Sequence, residues 1–298
     1  MLRKFLVTML VLSLALVPSL AGAEATTYTI GFAVSTLENP FFVAMKDAAE
    51  VKAAELGVEL MVLDAQDSAE AQASQVEDFI TRGVDLLIIN PVDSDAIGTA
   101  VVACNDAKIP VITVTRASNS GTVVQHLDID NQEAGLLDAQ QLIKDLDGKG
   151  NVAILEGIAG SSSAIDREKG FVTALEGTEI KVVASLTANY SREEGATVTE
   201  DILQSNPELQ AIYAHNDEMA LGAVRAVAAA GRSAEIKVYG IDATDDALAA
   251  VQNGEMAATV QQQPSLQIET ALENALKYLK GETIEALVNI PLKLIVKE

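Results

Sequence analysis

Short β-branched runs alternate with alanine-rich, helix-like stretches, and the alternation passes along the chain twice. The first pass offers strands at Tyr28–Val34, Val58–Leu63, Leu86–Ile89, Val111–Val114 and Val123–Leu127. Helices fit between them near Phe41–Leu56, Ala69–Thr81 and Ser94–Asp106. The second pass offers strands at Val152–Leu155, Lys181–Leu186, Ala211–Ala214, Lys237–Ile241 and Ala257–Val260. Its helices fall near Ala164–Leu175, Glu193–Gln204, Glu218–Ala230 and Thr244–Asn253. A strand that is apolar at consecutive positions is buried on both faces, and such strands separated by helices build parallel sheets. Two passes therefore predict two similar doubly wound α/β lobes rather than one large sheet.

A further helix, Leu266–Leu279, and a last strand, Leu292–Val296, follow both passes and can return one to each lobe. The chain would then cross between lobes near Asp128–Asn131, Gln262–Pro264 and Asn289–Pro291, which makes a three-segment hinge. The expected N-terminal lobe is residues 24–129 with 263–290, and the expected C-terminal lobe is 130–262 with 291–298.

Residues 1–23 read as a secretory signal peptide: Arg3 and Lys4, an apolar core from Phe5 to Val17, and Ala21-Gly22-Ala23 at the cleavage site. Later apolar runs fall short of the roughly 18 residues that span a bilayer. The expected product is exported, soluble and periplasmic. The formal net charge is −23, and it grows two units more negative once Arg3 and Lys4 leave with the signal. Such a field repels nucleic acid and anionic lipid and argues against an acidic substrate. The single cysteine, Cys104, lies in an apolar helical run, which predicts an inert buried thiol and no internal disulfide.

In open α/β sheets ligands bind beyond the carboxyl ends of the strands. Facing rims here carry amides, a few charges and several rings. Neither His126 nor His215 belongs to a metal-ligand pattern, and no Gly-x-Ser-x-Gly elbow is present. The loop Gly157–Ser163 lacks the ending of a P-loop and reads as a turn into a helix. No cofactor, metal or enzymatic activity is expected. A binding site fits better. Ser35-Thr36-Leu37-Glu38-Asn39-Pro40-Phe41-Phe42 mixes polar groups and rings at a strand tip, the pairing that sugar hydroxyls and sugar C–H faces require. Arg116 and Arg167 are read as lying in loops after strands, where a guanidinium can donate to two hydroxyls at once. Asp242 ends a strand and can accept from hydroxyls, with Thr244 and Asp245 better placed to cap the next helix. Asp217 is expected to cap its helix and leave Asn216 on the rim. Gln262 serves as contact or hinge residue, and Tyr190, Phe41 and Phe42 supply ring faces, one phenylalanine turned inward.

These residues in this order resemble the ribose-binding-protein family, the type I periplasmic sugar-binding proteins of ABC importers. Besides the first loop, Leu87–Ala96, Gly157–Ser161, Asn216–Ala223 and Leu292–Lys297 are similar to that family's motifs. The resemblance implies a Venus-flytrap mechanism, with sugar held between lobes and the closed form docking on a membrane permease. It places ligand contacts at Ser35, Asn39, Phe41, Phe42, Arg116, Arg167, Tyr190, Asn216, Asp242 and Gln262. Expected partners are a monosaccharide or polyol, the ABC permease and a chemoreceptor, with no nucleic acid, and the protein itself is expected to be a monomer. Two departures bear on the ligand. Ribose binders carry Asp where Thr115 stands, and an aromatic where Ile241 stands, which is expected to reshape the wall. Ribose, another pentose, a hexose, a polyol, a furanose-type signal or a nucleoside remain open. A sugar-sensing DNA-binding regulator would need a helix-turn-helix where this chain has its signal peptide.

Overall fold

The computed structural model describes residues 27–297. The expected signal peptide lies outside the described residues. The first lobe opens with β1 (Thr29–Val34), α1 (Pro40–Leu56), β2 (Glu59–Asp64), α2 (Ala69–Arg82) and β3 (Leu86–Ile89). It continues through α3 (Gly98–Asp106), β4 (Val111–Val114) and β5 (Gln125–Asp128). The second lobe runs α4 (Asn131–Asp145), β6 (Lys149–Glu156), α5 (Ser162–Ala174), β7 (Glu179–Thr187) and α6 (Arg192–Ser205). It then adds β8 (Leu209–Ala214), α7 (Asp217–Ala229), β9 (Lys237–Asp242), α8 (Asp245–Asn253) and β10 (Ala258–Gln261). Three elements close the chain: α9 (Pro264–Leu279), β11 (Leu287–Asn289) and β12 (Lys293–Val296).

The strands form two six-stranded sheets with matching orders, β11-β5-β4-β3-β1-β2 and β12-β10-β9-β8-β6-β7. Strands such as Leu86–Ile89 and Val111–Val114 are buried at every position, as sheets covered on both faces require. Every pairing is parallel except β12 on β10, so the closing strand runs against its sheet. The order reverses between β1 and β3 in one sheet and between β6 and β8 in the other. Crevices open at such switch points, beyond the strand ends. The loops Ser35–Asn39 and Gly157–Ser161 sit there.

Helix α9 packs against α1 under the first sheet, and α4 packs against α5 under the second. The chain therefore passes between sheets three times, and the passages are bonded side by side. Ile290 N donates to the Asp128 carbonyl at 2.8 Å, and Gln263 Nε2 donates to the Pro291 carbonyl at 2.8 Å. This is a three-segment hinge.

Two elements add to those expected from the sequence. Helix α4 turns Asn131, Ala134, Gly135, Asp138, Ala139 and Leu142 inward, so its buried face carries one large apolar side chain and leaves little periodic signal. The glycine is there because the helices meet backbone to backbone. A Cβ on Gly135 would stand 2.1 Å from the Arg167 carbonyl oxygen, and one on Gly170 would stand 2.0 Å from that of Gln132. Strand β11 has only three residues and pairs along one edge, on β5. Cys104 is fully buried, as expected.

Candidate ligand-binding site

The structure is closed, and the lobes touch through a hydrogen-bonded seam. Ser94 N donates to the Gly160 carbonyl at 3.1 Å, Ser162 N to Ser94 Oγ at 3.2 Å, and Ala117 N to Ser162 Oγ at 3.0 Å. The Gly157–Ser163 loop, expected to be only a turn into a helix, is thus also half of the lobe contact.

Behind the seam lies a cavity lined by Asn39, Phe41, Phe42, Thr115 and Arg116 from the first lobe. Ser163, Arg167, Tyr190, Asn216, Asp242 and Gln262 line it from the second lobe and the hinge. The space it leaves for water is only about 20 Å³, roughly one molecule's worth.

Each lining group is held by the chain around it. Asn39 caps α1, its Oδ1 accepting from Phe41 N at 2.9 Å, with Pro40 in the first turn. This swings Phe41 and Phe42 into the cleft, their rings edge to face at 5.1 Å. Both rings border the cavity and both pack into the first-lobe core, so neither is simply turned away. The Arg116 guanidinium lies between rings of opposite lobes, 5.4 Å from the Phe42 centroid and 5.0 Å from that of Tyr190. One of its amino groups donates to the Pro91 carbonyl at 3.0 Å, while its buried Nε has no partner.

Across the cleft, Arg167 sits on the second turn of α5 rather than in a loop, which corrects the sequence reading. Its Nε donates to Asn131 Oδ1 at 2.8 Å and its Nη1 to the His215 carbonyl at 2.5 Å, leaving the remaining amino group for a ligand. Asn216, not Asp217, caps α7, accepting from Met219 N at 3.0 Å. Asp217 is pulled inward instead, where Thr259 Oγ1 donates to it at 2.7 Å and Thr244 N at 2.8 Å. Thr244 caps α8. Tyr190 Oη and Ser163 Oγ share a hydrogen bond of 2.9 Å. Gln262 Nε2 donates to Asp242 Oδ1, and Gln262 Oε1 is buried without a partner.

Ser35 does not reach the cavity. It lies at the tip of β1 with its hydroxyl buried and unpartnered, and its N donates to Asn90 Oδ1 at 3.3 Å. Ile241 is fully buried in the second-lobe core and does not line the cavity. Ser163 was missed from sequence because it lies inside a helix-initiating serine run, where no local pattern marks which hydroxyl faces inward. Thr115, Tyr190 and Asp242 all line the cavity with φ of 66°, 61° and 144°, and such backbone persists only where the surroundings hold it.

Burial sets the electrostatics. It pulls the Arg116 pKa down, and it pushes that of Asp242 well above the carboxylate range despite Arg167 nearby. At the cleft mouth Asp67, though exposed, is raised to about 6 by partial desolvation among the loops around it, partly offset by Arg116. His215, fully buried, accepts from Gly157 N at 3.2 Å and is lowered to about 3 by burial and then by Arg167. Among the described residues no group of three or more His, Cys, Asp or Glu could hold a metal ion.

Two α/β lobes on a three-segment hinge, closed over a small cavity of fixed donors, acceptors and rings, define a solute-binding protein. The periplasmic binding protein domain family matches residues 30–283. Ribose import binding protein RbsB of Haemophilus influenzae is 44% identical over 277 residues, which cover 93% of this chain and 94% of that protein. The Caulobacter myo-inositol binding protein, solved with myo-inositol, superposes with a TM-score of 0.87 at 38% identity, covering 90% of this chain and 93% of that one. A periplasmic solute-binding protein of an ABC transporter from Actinobacillus succinogenes, solved with D-allose, gives a TM-score of 0.86 at 34% identity, covering 91% and 98%. The chain belongs to the periplasmic binding protein family. It is a solute-binding protein.

Proposed function

We propose that the chain captures one neutral sugar or polyol between its lobes in the periplasm and delivers it to an ABC permease. The observation that carries this is the closed cavity, where two arginines, two asparagines, Asp242, Gln262 and the rings of Phe41, Phe42 and Tyr190 converge. Guanidinium and amide donors suit hydroxyl oxygens, the Asp242 carboxyl can pair with a hydroxyl, and the rings suit C–H faces. Ribose in the name of the Haemophilus relative, and D-allose and myo-inositol in the solved neighbours, support a ligand of this class. Asn39, Phe41, Phe42, Arg116, Arg167, Tyr190, Asn216, Asp242 and Gln262 are the proposed contacts. The proposed moving bodies are residues 24–129 with 263–290 and residues 130–262 with 291–298. Ligand that touches both favours the closed state by its differential affinity. Removal of residues 1–23 on export, a monomeric state and a chemoreceptor partner belong to the same proposal.

The test is a thermal-shift screen of the mature protein against pentoses, hexoses, polyols, nucleosides, sugar acids and peptides. A saturable upward shift with one neutral member is expected, largely lost in Asp242→Ala and Arg167→Ala. Stabilisation by acids or peptides alone would sink the sugar reading.

A further inference from the structure

Thr115 is odd in three ways. It lines the cavity, it is β-branched with φ of 66°, and its hydroxyl is already engaged. Its Oγ1 donates at 2.9 Å to Oε1 of Gln267, a residue 152 positions away on α9. Gln267 is fully buried and does not line the cavity. Its own Nε2 donates to the backbone carbonyl of Gln262 at 3.1 Å. A carbonyl can only accept, so the Gln267 amide must present nitrogen to Gln262 and oxygen to Thr115. Thr115 is thereby obliged to give away its one proton, and what it offers the cavity is lone pairs.

The consequence extends along the chain of bonds. From Gln262 the side chain donates onward to Asp242, leaving Gln262 Oε1 without a partner. The side-chain oxygens of Asn39 and Asn216 are taken by helix caps, so those two residues have amide hydrogens to offer, Asn216 one of them after its 3.3 Å bond to the Tyr190 carbonyl. Arg116 and Arg167 have only hydrogens to offer. The committed acceptors of the cavity, Thr115 Oγ1 and Gln262 Oε1, are thus strung with Asp242 on one hydrogen-bonded chain through Gln267.

We propose that Gln267 is a specificity-determining positioning residue: it locks Thr115 as an acceptor, so the ligand must present a hydroxyl that donates there. This rests on the sugar-binding reading above and deepens it. The site is divided into an edge that demands ligand protons and an edge that supplies them. A sugar with an ether, carbonyl or missing oxygen at the Thr115 position is rejected, even where its shape fits.

The experiment uses the mature protein with D-ribose, D-allose and myo-inositol, together with their single-position deoxyfluoro analogues, whose fluorine cannot donate a hydrogen bond. Titration calorimetry on the wild type is expected to find one position where fluorine costs tenfold or more in affinity and where Thr115→Val abolishes the difference. Gln267→Leu frees the Thr115 proton, so the penalty at that position should fall below threefold while those at other positions persist. Gln267→Glu still accepts from Thr115 and should restore it. If Gln267→Leu weakens all analogues in proportion and leaves the profile unchanged, Gln267 is only a structural support and the inference is overturned. If neither these parents nor any other neutral member of the thermal-shift screen binds the wild type, the sugar reading fails first and this one falls with it. Thermal melts of each variant without ligand separate loss of fold from change of profile.

Discussion

Gly135 tests how Arg167 is positioned. The residue faces α5, where a Cβ would stand 2.1 Å from the Arg167 carbonyl oxygen and 2.8 Å from Phe171 N. Non-bonded heavy atoms rest near 3.5 Å or more, so Gly135→Ala must push the helices apart by about 1 Å. Overpacking of a tight contact costs roughly 1–3 kcal/mol. The bond from Arg167 Nε to Asn131 Oδ1 spans the same two helices at 2.8 Å. Stretching a buried, charge-assisted bond adds up to about 1.5–3 kcal/mol. The expected loss is about 2.5–6 kcal/mol, or roughly 5–12 °C in Tm for a chain of this size. Because the displaced segment carries Arg167, sugar affinity should fall about tenfold or more, a change of 1.4 kcal/mol or greater. Melting curves with and without ligand, plus calorimetric titration, measure both. Gly57→Ala is the control: Gly57 has φ of 68° but nothing within 4 Å of a new Cβ. It should cost only about 1–2 kcal/mol of left-handed strain and leave affinity alone. Equal destabilisation by the two substitutions, with ligand bound as in the wild type, would refute the idea that this close approach places Arg167.

Three further outcomes follow from buried groups. His215 is lowered to about 3, so the unfolded chain gains a proton that the folded chain refuses as pH falls below about 6.5. Stability should drop across that window, by at most roughly 4–5 kcal/mol at ~1.4 per pH unit, and His215→Gln should flatten the Tm–pH curve between pH 7 and 4.5. Asp138 has the opposite sign. Both its carboxylate oxygens are buried without a partner, and burial raises its pKa well above normal, so the folded chain holds the proton more tightly and stability falls as pH rises above about 3.9. Asp138→Asn should raise Tm at pH 7.5, with the gain fading toward pH 4; no gain at pH 7.5 would count against a costly buried charge. The Cys104 thiol, pushed up to about 11 by burial, should stay silent toward a thiol reagent at pH 8 until denaturant exposes it, and fast native labelling would contradict its packing.

The two-lobe plan was legible because a strand such as Leu86–Ile89 or Val111–Val114 states its burial in its own four residues. The same holds for the loop from Ser35 to Phe42, whose amide, proline and paired rings announce both a helix start and a binding rim. Helix α4 was not legible, since Gly135 and Asp138 on its inner face answer to α5 and the interior of the lobe rather than to a 3.6-residue period. Asn216 and Asp217 were read in exchanged roles for a related reason. Either can cap a helix by local rules, and it is Thr244 and Thr259, distant in sequence, that draw Asp217 inward.

What the sequence by itself determined was therefore whatever a short stretch can express: alternating strands and helices, a doubled α/β unit, an anionic surface and the residue types at each strand tip. Those tips lie near one another in any doubly wound fold, so most of the cavity lining could be named from strand ends alone. Tertiary structure decided which atoms of those residues are free. Ser35 and Ile241 fell behind the wall, Arg167 reached it from a helix, and Thr115 directed its hydroxyl hydrogen to Gln267. Hydrogen-bond capacity is spent between residues as far apart as Thr115 and Gln267, and no local pattern records that expenditure.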